Sequence, residues 1–258
     1  MPDQPRYLDT DQHRKIAYHH LDGSRPGVIF LAGFMSDMTG TKALALESWC
    51  HQRGTAFTRF DYSGHGASSG TFESGSIGDW LEDAVSVLDK VTRGPQIVVG
   101  SSMGGWISLL LAMKRSHRVA ALVTIACATD FTERLLRPAL TTEQLQSLES
   151  KGVAELPSHY NEQPYRIGRR LIDEGVDHCL LDGSIPIDCP VRMLHGMEDR
   201  DVPWEISRMT LERLDSNNTG LVLLENGDHR LSKPEEMERL FLILDSLIIP
   251  LTPPDQAG

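Results

Sequence analysis

The sequence predicts an α/β protein with a mostly parallel central sheet flanked by helices. Three observations carry that expectation. Apolar, strand-like runs alternate with segments of helical period, the pattern left by βαβ units around a parallel sheet. The alternation breaks once, between about residues 130 and 190, and then resumes. The chain's 258 residues, 40% hydrophobic and 24% charged, have the size and balance of one large domain carrying an insertion.

Residues 16–19 read as an early strand, and VIFLA at 28–32 as a strongly buried one. Residues 38–52 read as a helix with Ala43, Leu44, Leu46 and Trp49 on its apolar side, and 55–62 as the next strand. Residues 76–91 place Ile77, Trp80, Leu81, Ala84, Val85, Leu88 and Val91 at helical spacing. QIVVG at 96–100 is a buried strand, 104–114 an apolar helix and 120–126 a strand. The last two strands are expected at 191–195 and 221–225. Pro234 opens a final helix to residue 247, with Glu235 and Glu236 favourably placed at its positive end.

The break in the alternation holds shorter helical patterns, 141–149 and 165–174, separated by Gly152, Pro157 and Pro164. It is too long for a plain connection. The reading is therefore one α/β domain over residues 1–258 with a small cap, at about 130–189, inserted before the penultimate strand. Such a cap would cover the carboxyl ends of the strands, where open α/β sheets bind ligands. Leu135, Leu136, Leu140, Leu145 and Leu148 are expected mainly to seal it to the core, with an acyl site as the alternative. Arg166, Arg169 and Arg170 are expected to form a solvated charged face.

Composition excludes several functions. The net charge is -11 with no offsetting Lys/Arg run, so nucleic acid and anionic membranes are not expected partners. No apolar run reaches the roughly 18–20 residues that span a bilayer, so stable membrane insertion is not expected. The first 15 residues have neither a secretory nor a transit-peptide layout, and a cytoplasmic location follows by default. Cys50, Cys127, Cys179 and Cys189 lie far apart and read as reduced, mostly buried thiols. No glycine fingerprint for a dinucleotide and no metal-ligand spacing occurs, so neither cofactor nor metal is expected.

The chemistry-bearing stretch is VVGSSMGGW, residues 98–106. Gly100-Ser101-Ser102-Met103-Gly104 is G-x-S-x-G between a predicted strand and a predicted helix, the context of a nucleophile elbow rather than of a merely connecting Gly/Ser turn. Ser102 is the serine in frame, because for Ser101 the first glycine position would hold Val99. A serine hydroxyl needs a base and a group that orients the base. Both candidates follow in chain order. Glu198, Asp199 and Asp201 sit on the loop after the 191–195 strand, and His229 follows the last strand. Backbone N–H groups of Met103 and of Phe34, in the loop after VIFLA, are candidates for an oxyanion hole.

LAGF, FDYSGHGASSG, GSSMGG, HGMEDRDVP and GDHR, in this order, resemble the α/β-hydrolase superfamily and cover nearly the whole chain outside the cap. The resemblance implies an α/β-hydrolase fold and a cofactor-free serine hydrolase. It implies Asp199 as the acid, the aspartate of D-x-x-V-P four residues after the histidine of the HG pair. His229 is then the base and His195 structural, as are Asp61 and His65. Ala32 departs from the pattern, since many members carry histidine there. SDMTGTKALALE, RFDYSGHG, LHGMEDRDVPW and CLLDGSIPIDCPV further resemble the branch holding mitochondrial palmitoyl-protein thioesterases, acyl-glucuronide esterases and bacterial relatives. That similarity implies small-molecule or acyl-protein esters and thioesters as substrates. Alternatives on the same residues are a C–C bond hydrolase, a perhydrolase, or a binding protein that has lost turnover.

Overall fold

A computed structural model describes residues 4–157 and 164–251. An eight-stranded sheet forms its centre. Two antiparallel strands at one edge, β1 (Arg6–Asp9) and β2 (Lys15–Leu21), lead into β3 (Ser24–Leu31), α1 (Thr41–Gln52) and β4 (Thr55–Phe60). The chain then alternates through α2 (Ile77–Lys90), β5 (Gln96–Ser101), α3 (Met103–Lys114) and β6 (Val119–Ile125). After β6 come a π-helical turn (Thr132–Leu136), a short α4 (Arg137–Ala139), α5 (Thr142–Lys151), a hairpin of β7 (Val153–Leu156) and β8 (Tyr165–Gly168), and α6 (Arg169–Gly175). The sheet resumes with β9 (Val191–Gly196), α7 (Glu205–Leu211), β10 (Thr219–Leu224) and a closing α8 (Pro234–Leu251). This is the expected α/β-hydrolase architecture of a mostly parallel sheet flanked by helices.

The strand order β1-β2-β4-β3-β5-β6-β9-β10 reverses direction between β3 and β5. That reversal is a topological switch point, and the crevice beyond it is where open sheets of this kind hold ligands. Register brings the parallel strands to a common edge, with Leu31 opposite Gly100, Ser101 opposite Ile125, and Leu224 opposite Gly196. The loops carrying Phe34, Ser102, Asp199 and His229 all leave from it.

Apolar residues fill both faces. On one, Ile77, Trp80, Leu88, Trp106 and Leu109 of α2 and α3 pack on the sheet with full or near-full burial. On the other, Ala43, Leu46 and Trp49 of α1 meet Met237, Leu240 and Leu244 of α8. Cys50 and Cys127 are buried, Cys179 and Cys189 half-buried, and all four are free. No helix among the described residues is long and apolar enough to cross a membrane.

The structure differs from the sequence expectation at three places. Strand β1 went unread because only Tyr7 and Leu8 break a polar stretch; backbone pairing with β2 holds it at the sheet's edge. Helix α1 starts at Thr41 rather than residue 38. The Asp37 carboxylate accepts from Thr39 N–H at 2.7 Å and Met38 N–H donates to Asp61 at 2.6 Å, so a side-chain turn competes with the first helical turn. Residues 165–168, expected as helix, instead pair with β7 as strand β8, and α6 begins at Arg169.

Buried polar contacts tie the two ends of the segment between β6 and β9 together and hold it on α3. Asp130, with φ 58°, accepts the backbone N–H groups of Leu180 and Leu181, each at 2.8 Å. The Trp106 indole of α3 donates to the His178 carbonyl at 3.1 Å. Within the segment Thr141 and Gln144 form a capping box on α5, and Gly152 ends that helix at φ 75°.

Candidate active site

Ser102 sits between β5 and α3 with φ 55° and ψ −118°, a conformation that costs a non-glycine residue about 1–3 kcal/mol. Its neighbours show what holds it there. A Cβ on Gly100 would lie 2.2 Å from the Gly104 carbonyl oxygen, and one on Gly104 would lie 2.2 Å from that of Leu31. Only glycine lets strand, turn and helix approach this closely. Ser102 N–H donates to the Ile125 carbonyl at 2.8 Å, and its own carbonyl accepts from Ala128 N–H at 3.1 Å. The turn is thus locked on the side of β6.

The structure brings Ser102, His229 and Asp199 into one hydrogen-bonded chain. Ser102 Oγ lies 3.0 Å from His229 Nε2, and His229 Nδ1 lies 2.7 Å from Asp199 Oδ2. The Asp199 side chain has no solvent exposure, and both of its oxygens are occupied. Oδ1 accepts the backbone N–H groups of Asp201 and Val202 at 2.9 and 2.8 Å. Oδ2 also lies 3.0 Å from His195 Nε2. Burial would raise this carboxyl's pKa, but the hydrogen bonds from His195 and His229, the charge of His229 and the Val202 N–H outweigh it and hold it well below the usual carboxylate range. Asp199 is therefore ionised at neutral pH. With Oδ2 accepting from Nδ1–H, the His229 proton resides on Nδ1 and Nε2 is left bare toward the serine.

Met103 is the first residue of α3, so its N–H has no partner within the helix. Gly33 lies so near that a Cβ there would come within 3.3 Å of Ser102 Cβ. Phe34 follows in a turn closed by Ser36 N–H on the Gly33 carbonyl at 3.1 Å. Its ring packs edge-on against Phe72, Phe131, Trp80 and Tyr165, with centroids 4.8, 5.5, 6.3 and 6.3 Å away. The aromatic contacts anchor the loop that carries Phe34 beside the elbow.

Two cavities meet at Ser102 and His229. One, of about 480 Å³, is bounded by Met103, Phe131, Leu135, Leu136, Val202 and Tyr165. The other, of about 320 Å³, lies between the start of α1 and the His229 loop, against Ser36, Asp37, Lys42, Arg230 and Ser232. Lys42 Nζ donates to the Arg230 carbonyl and lies 3.4 Å from Ser232 Oγ; burial and the nearby Arg230 charge lower its pKa to about 8. Of the leucines singled out by sequence, Leu135 and Leu136 line the larger cavity, Leu140 and Leu148 are buried against the core, and Leu145 is exposed. Arg166, Arg169 and Arg170 make half-exposed ion pairs with Glu73, Asp173 and Asp79.

Asp61 is buried under its own loop, accepting Met38 and Ala67 N–H groups at 2.6 and 2.8 Å. His65 packs edge-on to Phe72 and Trp80, and burial lowers its pKa to about 4, so it is neutral. Among the described residues, Asp199, Asp201 and His229 form the group of ligand-type side chains close enough to hold an ion, with atoms within 4.8 Å of one another. Its Asp199 and His229 atoms already bond each other. Sequence reasoning missed the aromatic cage around Phe34, the Lys42 contact and the bond from His195 to Asp199. Each joins residues remote in sequence or depends on side-chain direction.

A profile of the family described as "Serine aminopeptidase, S33" matches residues 24–162. That stretch contains Phe34, Ser102 and Met103 and ends before Asp199 and His229. Palmitoyl-protein thioesterase ABHD10, mitochondrial, of Mus musculus is 43% identical over 243 residues, which cover 94% of this chain and 82% of the relative. The solved structure of α/β-hydrolase domain-containing protein 10 from mouse superimposes with a TM-score of 0.88 at 42% identity, covering 97% of this chain and 100% of that one. A protein of Agrobacterium vitis S4 gives 0.90 at 38% identity, covering 96% and 100%. The cytoplasmic location expected from sequence does not stand, because the curated relatives at this similarity are mitochondrial by name. That expectation rests on the composition of the first 15 residues, and targeting segments are separate from the fold, so their composition there does not report the compartment.

Proposed function

This chain belongs to the α/β-hydrolase family and is a hydrolase of ester or thioester bonds; from that premise we propose that it is an acyl thioesterase working through Ser102, His229 and Asp199. The observation that carries the reading is the chain of contacts at 3.0 and 2.7 Å linking the serine to a buried carboxylate through one imidazole. Ser102 Oγ attacks the acyl carbonyl while His229 Nε2 takes its proton. The N–H groups of Phe34 and Met103 receive the charge that develops on the carbonyl oxygen. His229 then protonates the departing thiolate or alkoxide. Water, deprotonated by the same imidazole, releases the acyl group from Ser102. Asp199 holds Nδ1–H throughout and balances the imidazolium that forms.

The segment at about 130–189 acts, in this reading, as a cap, and the 480 Å³ cavity beneath it takes the acyl chain. Its apolar walls at Phe131, Leu135 and Leu136 and its continuity with Ser102 support that assignment. The leaving group then departs through the more polar cavity beside Lys42. The printed names of the relatives, palmitoyl-protein thioesterases, favour a protein cysteine as the leaving group. The test is a panel of acyl thioesters and matched oxygen esters of increasing chain length, with Ser102→Ala as control. Turnover that rises with chain length on thioesters and vanishes in Ser102→Ala is expected. Turnover surviving in Ser102→Ala refutes the mechanism, and a preference for acetyl groups refutes the acyl-cavity assignment.

A further inference from the structure

His195 is the second imidazole on Asp199, and it is more deeply buried than the first. It has no solvent exposure, whereas the His229 side chain keeps 17%. Its Nε2 faces two acceptors, Asp199 Oδ2 at 3.0 Å and the Val202 carbonyl at 3.0 Å. Its Nδ1 faces the Ser207 hydroxyl of α7 at 2.7 Å. Two acceptors at Nε2 require the proton there, so Nδ1 is bare and accepts from Ser207. The result is a directed chain, Ser207 to His195 to Asp199, converging on the same oxygen that holds His229.

We propose that His195 is a positioning residue for the reaction, whose Nε2–H shares Asp199 Oδ2 with His229, fixing the carboxylate and tempering its hold on the imidazole that takes up the Ser102 proton. The inference rests on the serine-hydrolase mechanism above. A carboxylate bonded to one imidazole alone would favour the imidazolium strongly and keep His229 protonated to higher pH. A second donor on the same oxygen withdraws part of that charge. Ser207, by donating into Nδ1, strengthens the His195 N–H as a donor. The backbone N–H groups of Asp201 and Val202 occupy Oδ1, and among the described residues the second donor beside His229 on Oδ2 is His195.

Other charged groups near the pair include Glu198, Arg200 and Asp201 on the loop after β9, Asp228 and Arg230 beside His229, and Asp37 and Lys42 near the start of α1. All remain when His195 is changed, so a shift between wild type and variant reports His195 itself. A residue that only fills space would alter stability and leave the pH dependence of catalysis where it was.

The experiment compares pH profiles of kcat/KM on one short thioester for wild type, His195→Leu, His195→Gln and Ser207→Ala. Removing the donor in His195→Leu is expected to move the acidic limb to higher pH by about half a unit or more. His195→Gln, which keeps an N–H at the Nε2 position, is expected to restore most of the shift. Ser207→Ala, a milder change that leaves the imidazole in place, is expected to move the limb in the same direction by less, and it decides the matter if His195→Leu does not fold. An acidic limb that stays put or moves to lower pH in the folded variants overturns the proposal. Failure of the underlying mechanism would look different, since Ser102→Ala would then retain turnover.

Discussion

Replacing Asp199 by asparagine is a change of one atom whose consequence follows from the four donors around the carboxylate. Oδ1 accepts two backbone N–H groups and Oδ2 two imidazoles. The asparagine amide must place its oxygen at the Oδ1 position, because an NH₂ there would face two N–H groups that cannot turn. Its NH₂ then points at His229 Nδ1 and becomes a donor where an acceptor stood. His229 responds by moving its proton to Nε2, where it faces Ser102 Oγ and can no longer accept. The fold survives while the base is lost. An analogous wrong-tautomer substitution in a serine protease costs about 10⁴ in turnover, or about 5 kcal/mol of transition-state stabilisation. We expect a loss of that order in kcat/KM on a chromogenic ester near neutral pH, with circular dichroism unchanged. Asp201→Asn is expected to have a far smaller effect, since its backbone rather than its carboxylate supports Asp199. A loss below about tenfold in Asp199→Asn, or a larger loss in Asp201→Asn, would refute the tautomer argument.

Four further outcomes follow from the structure. A fluorophosphonate probe is expected to modify Ser102 and to leave Ser101, which is buried at the end of β5, unlabelled; peptide mass spectrometry reads the position. Gly104→Ala would place a Cβ 2.2 and 2.4 Å from the carbonyl oxygens of Leu31 and Ala32, and is expected to cost about 1–3 kcal/mol in denaturant unfolding. Gly152→Ala meets nothing within 4 Å and bears only the strain of φ 75°, so its loss should be about 1 kcal/mol. Because the folded state holds the Asp199 carboxyl below its ordinary value of 3.8, that group stabilises the fold above this value and ceases to do so as pH falls through the folded one. The part of the stability gap between wild type and Asp199→Asn that this carboxylate supplies should therefore shrink as pH falls below about 4, as followed by urea titrations at each pH.

Much of this was legible in the sequence because it is dictated locally. The glycines at 100 and 104 are required by backbone clashes that any strand–turn–helix elbow of this tightness creates, so their spacing identifies Ser102 directly. Buried parallel strands read as apolar runs, and the register that aligns their ends follows from burial on both faces. Strands β7 and β8 were not legible, because the short hairpin carries no regular alternation and is held by its own pairing. Composition alone could not separate Glu198, Asp199 and Asp201. What distinguishes Asp199 is the turn that directs two N–H groups onto it, a property of backbone shape. The role of His195 was hidden for a related reason. Its sequence position beside the strand end says structure, and only the direction of its ring turns it toward the carboxylate.

Phe34 belongs to the loop beside Ser102, yet its ring is gripped by Phe131 and Tyr165 from the segment between β6 and β9. The two parts of the molecule are thereby geared together. An engineer who exchanges that segment to alter substrate range will also unseat the backbone beside Ser102 unless aromatic partners at both places are retained. Random variation within the segment will be filtered the same way, tolerating change at the exposed Leu145 far better than at Phe131. If the larger cavity takes the acyl chain as proposed, Leu135 and Leu136 on its wall are the positions from which a redesigned acyl preference should start.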